Sequence, residues 1–482
     1  MFFKKIKFNE YFLILSFGLF VFLTQFYSIG VEVINWDESD FILMGSSFYN
    51  GNLPYVEVWD LKPPLHFFYL GTVFKLFSPS LLTARLAGDF LIFITSIFLY
   101  FISKKIFRNY EAVMVSLLYI SLVSFEFAQP TMTEYLSTLF VIVGMIFYEN
   151  NNSKSIFASG LLITLAIFTR TNTAFVWMFF ILYSAFVKNR RVNLKYYILG
   201  SGVPVIILSS LYFAEGKIIE FYYSVFLIPL GNTLIRENIV EVFMSSYKGI
   251  FVDNIFSIPT FFLIFLILFS LSLLNPKFRS QLFESLPLIN LYVYVFLSLA
   301  ISILVGGRFY YHYLIQLFPF LSIFIIFAIS KILNSNNAAY LFLILLITFN
   351  SFSLITQSIY NIQNYQNIKQ NYKLQKISKL IDANEELLAL DNHLVYLYLD
   401  KQPLTPVVHP NIIFKDDEYE LLISSLVKLG YINENQNQII LDSYPKYIIC
   451  ENFCYEYINP IYFENYKLIT EIDKVKLFML RG

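Results

Sequence analysis

The chain has 482 residues, of which 57% are hydrophobic and only 14% charged, where soluble domains carry about a quarter charged residues. Lys and Arg together number 34, and so do Asp and Glu. Net charge therefore says nothing about a nucleic-acid partner; none is expected, and the apolar excess excludes an ordinary soluble domain.

The first apolar run, at about 11–30, follows Lys4, Lys5 and Lys7. It is long for a signal-peptide core and no small-residue cleavage site follows it, so it reads as a retained first transmembrane helix. Further runs of roughly 20 apolar residues recur over the first three quarters of the chain, each able to cross a hydrocarbon core of about 30 Å. In lipid the backbone must satisfy its own hydrogen bonds, so these runs are helices. A barrel would show alternating segments of about ten residues. Spans are predicted at about 11–30, 81–103, 111–128, 131–148, 155–169, 173–187, 195–214, 255–274, 286–305, 309–330 and 338–358.

With the N-terminus in the cytoplasm, Lys104, Lys105 and Arg108, then Lys154, then Lys188, Arg190 and Arg191, then Lys277 and Arg279, then Lys331 all fall inside, as the positive-inside rule requires. The fold class expected is an α-helical polytopic membrane protein of about 11 transmembrane helices, up to 13. Residues 31–80 form its first outer loop. The fifth and sixth spans are short, and could be one broken helix pair or helices that do not fully cross. The apolar stretch 64–77 is placed at the outer membrane surface, because counting it as a span would invert the charge agreement downstream.

After residue 360 Gln, Asn, Lys, Asp and Glu become common and long apolar runs stop. The division expected is a membrane domain over 1–360 and a small extracytoplasmic α/β domain over 361–482. The latter would hold a polar helix at 361–384, strands at 386–390, 446–450 and 475–480, and a helix at 416–429. Cys450 and Cys454 are the two cysteines. A structural disulfide and a pair of free thiols both fit their spacing.

Chemistry-bearing residues gather on the predicted outer side. The first loop contains Asn35-Trp36-Asp37-Glu38-Ser39-Asp40 and Val58-Trp59-Asp60-Leu61-Lys62-Pro63-Pro64-Leu65-His66. Any one of these acids could simply line a wet loop. Trp36, however, is an interfacial anchor that would hold Asp37-Glu38 at headgroup depth, and Pro63-Pro64 stiffens the backbone just after Lys62. Arg85 and Asp89 are expected to pair across one helical turn. Glu134 opens the fourth span, Arg170 sits on an outer turn, and Arg308 and His312 open the tenth span. Lys62, Arg85, Arg170, Arg308 and His312 could bind a phosphate, with Asp37 or Glu38 as a general base beside it. The same cations could instead bind anionic headgroups of membrane lipids.

Trp36-Asp37-Glu38 followed by Asp60-x-Lys62-Pro63-Pro64-Leu65 resembles the GT-C glycosyltransferases, and more closely is similar to the bacterial branch containing lipid A aminoarabinose transferases and relatives of protein O-mannosyltransferases. Glu134, Arg170 and Arg308-x-Tyr310-x-His312-Tyr313 fit the same branch. The resemblance implies transfer of a sugar from a polyprenyl-phosphate carrier to a hydroxyl of a lipid, glycan or protein acceptor, usually with inversion. Asp37 and Glu38 take the catalytic positions. Lys62 lies near the carrier phosphate, and Asp60, Arg85, Glu134, Arg170, Arg308 and His312 contact substrate. Two departures stand out: Asp40 replaces a basic residue expected after the Asp-Glu pair, and Leu61 replaces an acid expected before the Lys. No cofactor is implied, although Asp60 with His312 could hold a divalent metal. A transporter or flippase of lipid-linked glycans would place its ionisable residues near the bilayer midplane. A polysaccharide polymerase or ligase would carry a large basic outer loop without these motifs.

Overall fold

The computed structural model describes residues 8–124, 129–186, 194–230, 287–306, 310–331, 337–414, 420–451 and 454–481. The predicted span at 255–274, the basic turns at 188–191 and 277–279, and Arg308 lie outside these residues. The protein is mostly helical with one small sheet near the C-terminus.

Among the described residues four helical stretches are long and apolar enough to cross a membrane: Glu10–Gly30, Leu81–Ser103, Leu194–Ala214 and Asn337–Ser378. Among the described residues, shorter apolar helices occupy several other predicted spans: Asn109–Leu122, Ser153–Ile167, Thr171–Phe186, Asn290–Val305 and Phe318–Ser330. The expected short pair is a 15-residue helix, Ser153–Ile167, and a 13-residue helix, Ala174–Phe186. At 1.5 Å per residue the first falls short of a full crossing. The apolar stretch after Pro64 is likewise a 13-residue helix, Leu65–Phe77.

The chain divides into two compact units. The first comprises segments 1–27, 88–206 and 236–362. Its helices approach closely where glycine replaces side chain. A Cβ on Gly160 would lie 2.1 Å from the Tyr197 carbonyl oxygen, and one on Gly200 would lie 2.0 Å from that of Phe157. Ser201 Oγ donates to the Tyr197 carbonyl at 2.9 Å, with the Gly160 carbonyl also in reach at 3.3 Å. Helices Ser153–Ile167 and Leu194–Ala214 thus meet backbone to backbone, the close approach that small residues give membrane helices. Charged groups near helix ends are paired: Lys104 with Glu10, and Lys105 with Glu149 at 3.0 Å.

The second unit comprises segments 28–87, 207–235 and 363–482. Its sheet has the order β1 (Leu387–Ala389), β2 (Tyr447–Cys450), β4 (Val475–Leu480), β3 (Tyr466–Ile472), with β1 parallel to β2 and the remaining pairs antiparallel. Strands β3 and β4 join through Asp473 and Lys474, both at positive φ, the backbone a tight hairpin turn requires. Three of these strands match the sequence expectation; β3 is additional. The predicted helix at 416–429 is Glu420–Lys428 among the described residues, and Cys450 and Cys454 form a disulfide. The long helix Asn337–Asn371 has 35 residues. It merges the predicted span at 338–358 with the first part of the polar helix expected at 361–384, and a second short helix, Lys373–Ser378, follows.

Segment 28–87 is held to the C-terminal segment at several points. Glu32 accepts backbone N–H bonds from Leu374 (2.8 Å) and Gln375 (3.1 Å), capping the helix Lys373–Ser378. Tyr372 Oη donates to the Ile29 carbonyl. Trp59 N–H donates to the Pro406 carbonyl at 2.8 Å, within an isolated parallel bridge between Trp59 and Val407.

Candidate active site

Asn35 starts the helix Trp36–Tyr49 by accepting the Asp37 N–H on its side chain, a polar cap for an otherwise unpaired donor. Helical spacing then sets Asp37 and Asp40 on one face. The second loop arrives through Trp59, whose Nε1 donates to Ser224 Oγ at 2.8 Å. Asp60 follows, and its Oδ1 accepts the Lys62 N–H at 2.8 Å, a local turn typical of Asp. The Lys62 carbonyl accepts from Tyr55 Oη at 2.6 Å, just before Pro63-Pro64. This fixed backbone delivers Lys62 Nζ to 3.5 Å from Asp37 Oδ1 and 3.6 Å from Asp60 Oδ1. Asp60 is buried, while Asp37 and Lys62 are about a fifth exposed.

Glu38, one residue beyond Asp37, is buried and bound at two points by Arg85. The remaining Arg85 donors go to the carbonyls of Ser28, Val31 and Glu32, which accounts for its five N–H groups. The helical-turn partner expected for Arg85 therefore gives way to Glu38.

Two histidines that the sequence reading left aside complete the cluster. His409 Nε2 lies 2.7 Å from Asp40 Oδ2, 3.7 Å from Asp60 Oδ2 and 3.9 Å from Asp37 Oδ1. Its position follows from the Trp59–Val407 bridge, since His409 is two residues past Val407 as Asp60 is one past Trp59. His393 Nδ1 lies 2.6 Å from Asp40 Oδ1, and its Nε2 faces the Leu390 carbonyl. Burial alone would push the Asp40 carboxyl up, but the His409 and His393 rings outweigh it and hold it at about 2. Burial also opposes ionisation of Asp60, and Lys62 with His409 prevails to lower it. Burial would lower His409, yet Asp40 and Asp60 raise it well above the ordinary imidazole value. The weak signal for these residues is scarcity, since the chain has only 4 His.

A second polar cluster lies in the other unit. Arg170 Nη1 is 2.9 Å from Glu134 Oε1 and donates to Thr133 Oγ1, and its guanidinium lies over the Tyr313 ring. His312 Nε2 is 3.6 Å from the same Glu134 oxygen. Gln316 donates to Ser137 at 3.0 Å and accepts from Asn172 at 2.7 Å. The structure thus brings Asp37, Asp60 and Lys62 together, pairs Glu38 with Arg85, and gathers Glu134, Arg170 and His312 separately. Asp60 meets the imidazole of His409, whereas His312 faces Glu134.

The sequence profile of the dolichyl-phosphate-mannose-protein mannosyltransferase family matches residues 61–213. No curated protein matches the chain at a significant level. Among solved structures the chain is similar to ArnT from Cupriavidus metallidurans bound to undecaprenyl phosphate, with a TM-score of 0.61, 12% identity and 98% of each chain covered. The apo form of that protein gives 0.58 and 10%, covering 98% of this chain and 97% of ArnT. A weaker likeness is to the Archaeoglobus fulgidus oligosaccharyltransferase AglB in complex with an inhibitory peptide and a dolichol-phosphate. There the TM-score is 0.48 and the identity 10%, with 95% of this chain and 73% of AglB covered.

The fold is ArnT-like, mostly helical with several apolar helices. The chain resembles GT-C superfamily glycosyltransferases, ArnT among them, and the matches support a glycosyltransferase.

Proposed function

We propose that this protein transfers a sugar from a polyprenyl-phosphate carrier to an acceptor hydroxyl, with inversion, at the extracytoplasmic face of the cell membrane. The observation that carries this reading is the Asp37–Lys62 pair, a partly exposed carboxylate and ammonium 3.5 Å apart. Asp37 takes the proton of the acceptor hydroxyl as its oxygen bonds to the anomeric carbon. The bond from that carbon to the carrier phosphate breaks on the opposite side, which inverts the centre. Its electron pair stays on the phosphate, where Lys62 offsets the growing charge. Asp60 holds Lys62 in place. Glu38 fixes the start of the Asp37 helix through Arg85.

Arg170 and His312 are already partnered by Glu134. They suit a polar lining for sugar hydroxyls better than a site for a charged phosphate. Arg308 is assigned with them to substrate contact. Residues 1–360, with first outer loop 31–80, act as the transmembrane catalytic part, and 361–482 as the extracytoplasmic domain. The basic turns supply the support for a cytoplasmic N-terminus.

The test is mass spectrometry of envelope lipids, glycans and proteins with and without the gene, followed by transfer assays with the acceptor found. Asp37→Asn should lower transfer by about 10²–10⁴-fold with expression intact. Lys62→Ala should weaken use of the carrier lipid. Full transfer by Asp37→Asn removes Asp37 as the base. A labelled sugar that changes side while remaining on its carrier would establish a flippase instead.

A further inference from the structure

The geometry points to Tyr55 as a positioning residue for Lys62, held in turn by Tyr431 of the C-terminal segment. The inference rests on the proposed role of Lys62 at the carrier phosphate and adds the groups that place it. Leu53-Pro54-Tyr55-Val56 forms a tight turn in which the Val56 N–H donates to the Leu53 carbonyl at 3.2 Å. Pro54 takes the second position and Tyr55 the third, at φ +69°. That is the pattern of a type II turn, whose third residue is normally glycine because φ is positive there. A bulky side chain in this region is strained. Tyr55 is nevertheless present, and fully buried.

What a tyrosine supplies at this position, and glycine would not, is a hydroxyl. Tyr55 Oη donates to the Lys62 carbonyl at 2.6 Å, while Asp60 Oδ1 accepts the Lys62 N–H at 2.8 Å. Both backbone polar groups of Lys62 are thus fixed, and Pro63 narrows the conformations left to it. Tyr55 is tied down in its turn. Its carbonyl accepts from Tyr431 Oη, and its N–H donates to the Val58 carbonyl at 3.1 Å. Tyr212 Oη donates to the Pro54 carbonyl at 3.2 Å, and the Tyr212 ring lies 6.1 Å from that of Tyr55. The carbonyls of Pro54, Tyr55 and Lys62 therefore each accept a tyrosine hydroxyl.

Burial raises the Tyr55 and Tyr431 phenols above their ordinary range, so both stay protonated and able to donate. The C-terminal segment reaches the same loop a second time at Trp59. The Tyr431 and Trp59 rings are 6.3 Å apart, and the Trp59 N–H donates to the Pro406 carbonyl. Removing the Tyr55 hydroxyl leaves the Lys62 carbonyl without this donor. The backbone that carries Lys62 Nζ to 3.5 Å from Asp37 then loses its hold. A misplacement of about 1 Å at a reacting centre costs up to about 10²-fold in rate.

The test measures binding of undecaprenyl phosphate, and of its phosphate-free analogue undecaprenol, to the full-length protein in detergent. Lys62→Ala should weaken the phosphate form and spare the alcohol. Tyr55→Phe keeps the buried ring and removes the hydroxyl. It should weaken the phosphate form by about 3–10-fold and leave undecaprenol unchanged. Tyr431→Phe should act in the same sense by a smaller factor. In the Lys62→Ala background both changes should be silent, because the group they place is gone. A merely structural role predicts weaker binding of both lipids, or equal losses in the two backgrounds, and either result overturns the proposal. Wild-type affinity in Tyr55→Phe beside a loss in Lys62→Ala also overturns it, and leaves the role of Lys62 standing. Wild-type affinity in Lys62→Ala overturns that role and this inference with it. If Tyr55→Phe does not fold, Tyr431→Phe supplies the same comparison.

Discussion

Arg85 and Glu38 meet in a buried two-point contact, with Nε to Oε1 at 2.9 Å and Nη2 to Oε2 at 2.6 Å. The contact joins the helix Leu81–Ser103 to the helix that presents Asp37. Removing one member leaves a buried charge unpaired, which costs about 3–5 kcal/mol. Arg85→Ala should therefore unfold at clearly lower temperature in detergent. Glu38→Gln should lose less, because its amide oxygen still accepts a hydrogen bond. Replacing both residues by apolar ones of similar volume should recover most of the loss. A double-mutant cycle by thermal unfolding measures the coupling; additive single effects would mean that the pair contributes little.

Much of this site was legible in the sequence, and the missing parts have physical causes. Asp37 and Lys62 lie in one loop, and Trp36 and Pro63-Pro64 flag that loop locally. His393 and His409 come from the far end of the chain, and only tertiary packing through the Trp59–Val407 bridge brings them in. Arg85 was expected to find an acid one turn along its own helix, but Glu38 offers it two oxygens at once. The helix Asn337–Asn371 runs on past the predicted end of its span because nothing stops it: it contains no Gly or Pro. Buried Asn361 then bonds the Tyr27 carbonyl at 2.9 Å, so polarity there reflects a partner and not a loop. Strand β3 escaped because Tyr466–Ile472 mixes Lys, Thr and Glu into a mostly solvent-facing strand.

The glycine contact between helices Ser153–Ile167 and Leu194–Ala214 gives a test of packing with an internal control. Gly160→Ala and Gly200→Ala each push a methyl onto a carbonyl oxygen about 2 Å away. Overpacking of this kind costs about 1–3 kcal/mol. Gly202, two residues beyond Gly200 in the same helix, has nothing within 4 Å of its would-be Cβ. Gly202→Ala should be neutral, or stabilising by about 0.4–1 kcal/mol. Thermal unfolding of the three variants separates the two effects; equal behaviour would refute the close approach.

Arg170 is held by charge and by shape together. Its guanidinium pairs with Glu134 and lies 4.3 Å from the centroid of the Tyr313 ring. Lysine keeps the charge and loses the planar face that stacks on the ring. Arg170→Lys should be destabilised by about 1–2 kcal/mol, the worth of a desolvated cation–π contact. Tyr313→Leu should make the further change to Lys nearly silent. Equal losses from Arg170→Lys in the two backgrounds would show that the ring plays no part.

The carboxylate–histidine cluster sets a pH window for the stability of the protein. Asp40 is held at about 2 against an ordinary 3.8. Its contribution is therefore present above 3.8 and lost as pH falls from there through about 2. That difference is worth about 2 kcal/mol. His409 behaves in the opposite sense. Its value is raised above 6.5, so its contribution is complete below 6.5 and fades as pH rises through the raised value. The protein should be most stable between these limits and weaken on both sides. Asp40→Asn should flatten the acid limb, and it should also reduce the alkaline one, since Asp40 is the foremost group raising His409. Unfolding midpoints measured across pH in wild type and Asp40→Asn check both limbs. An unchanged alkaline limb in the variant would break the proposed link between the two side chains.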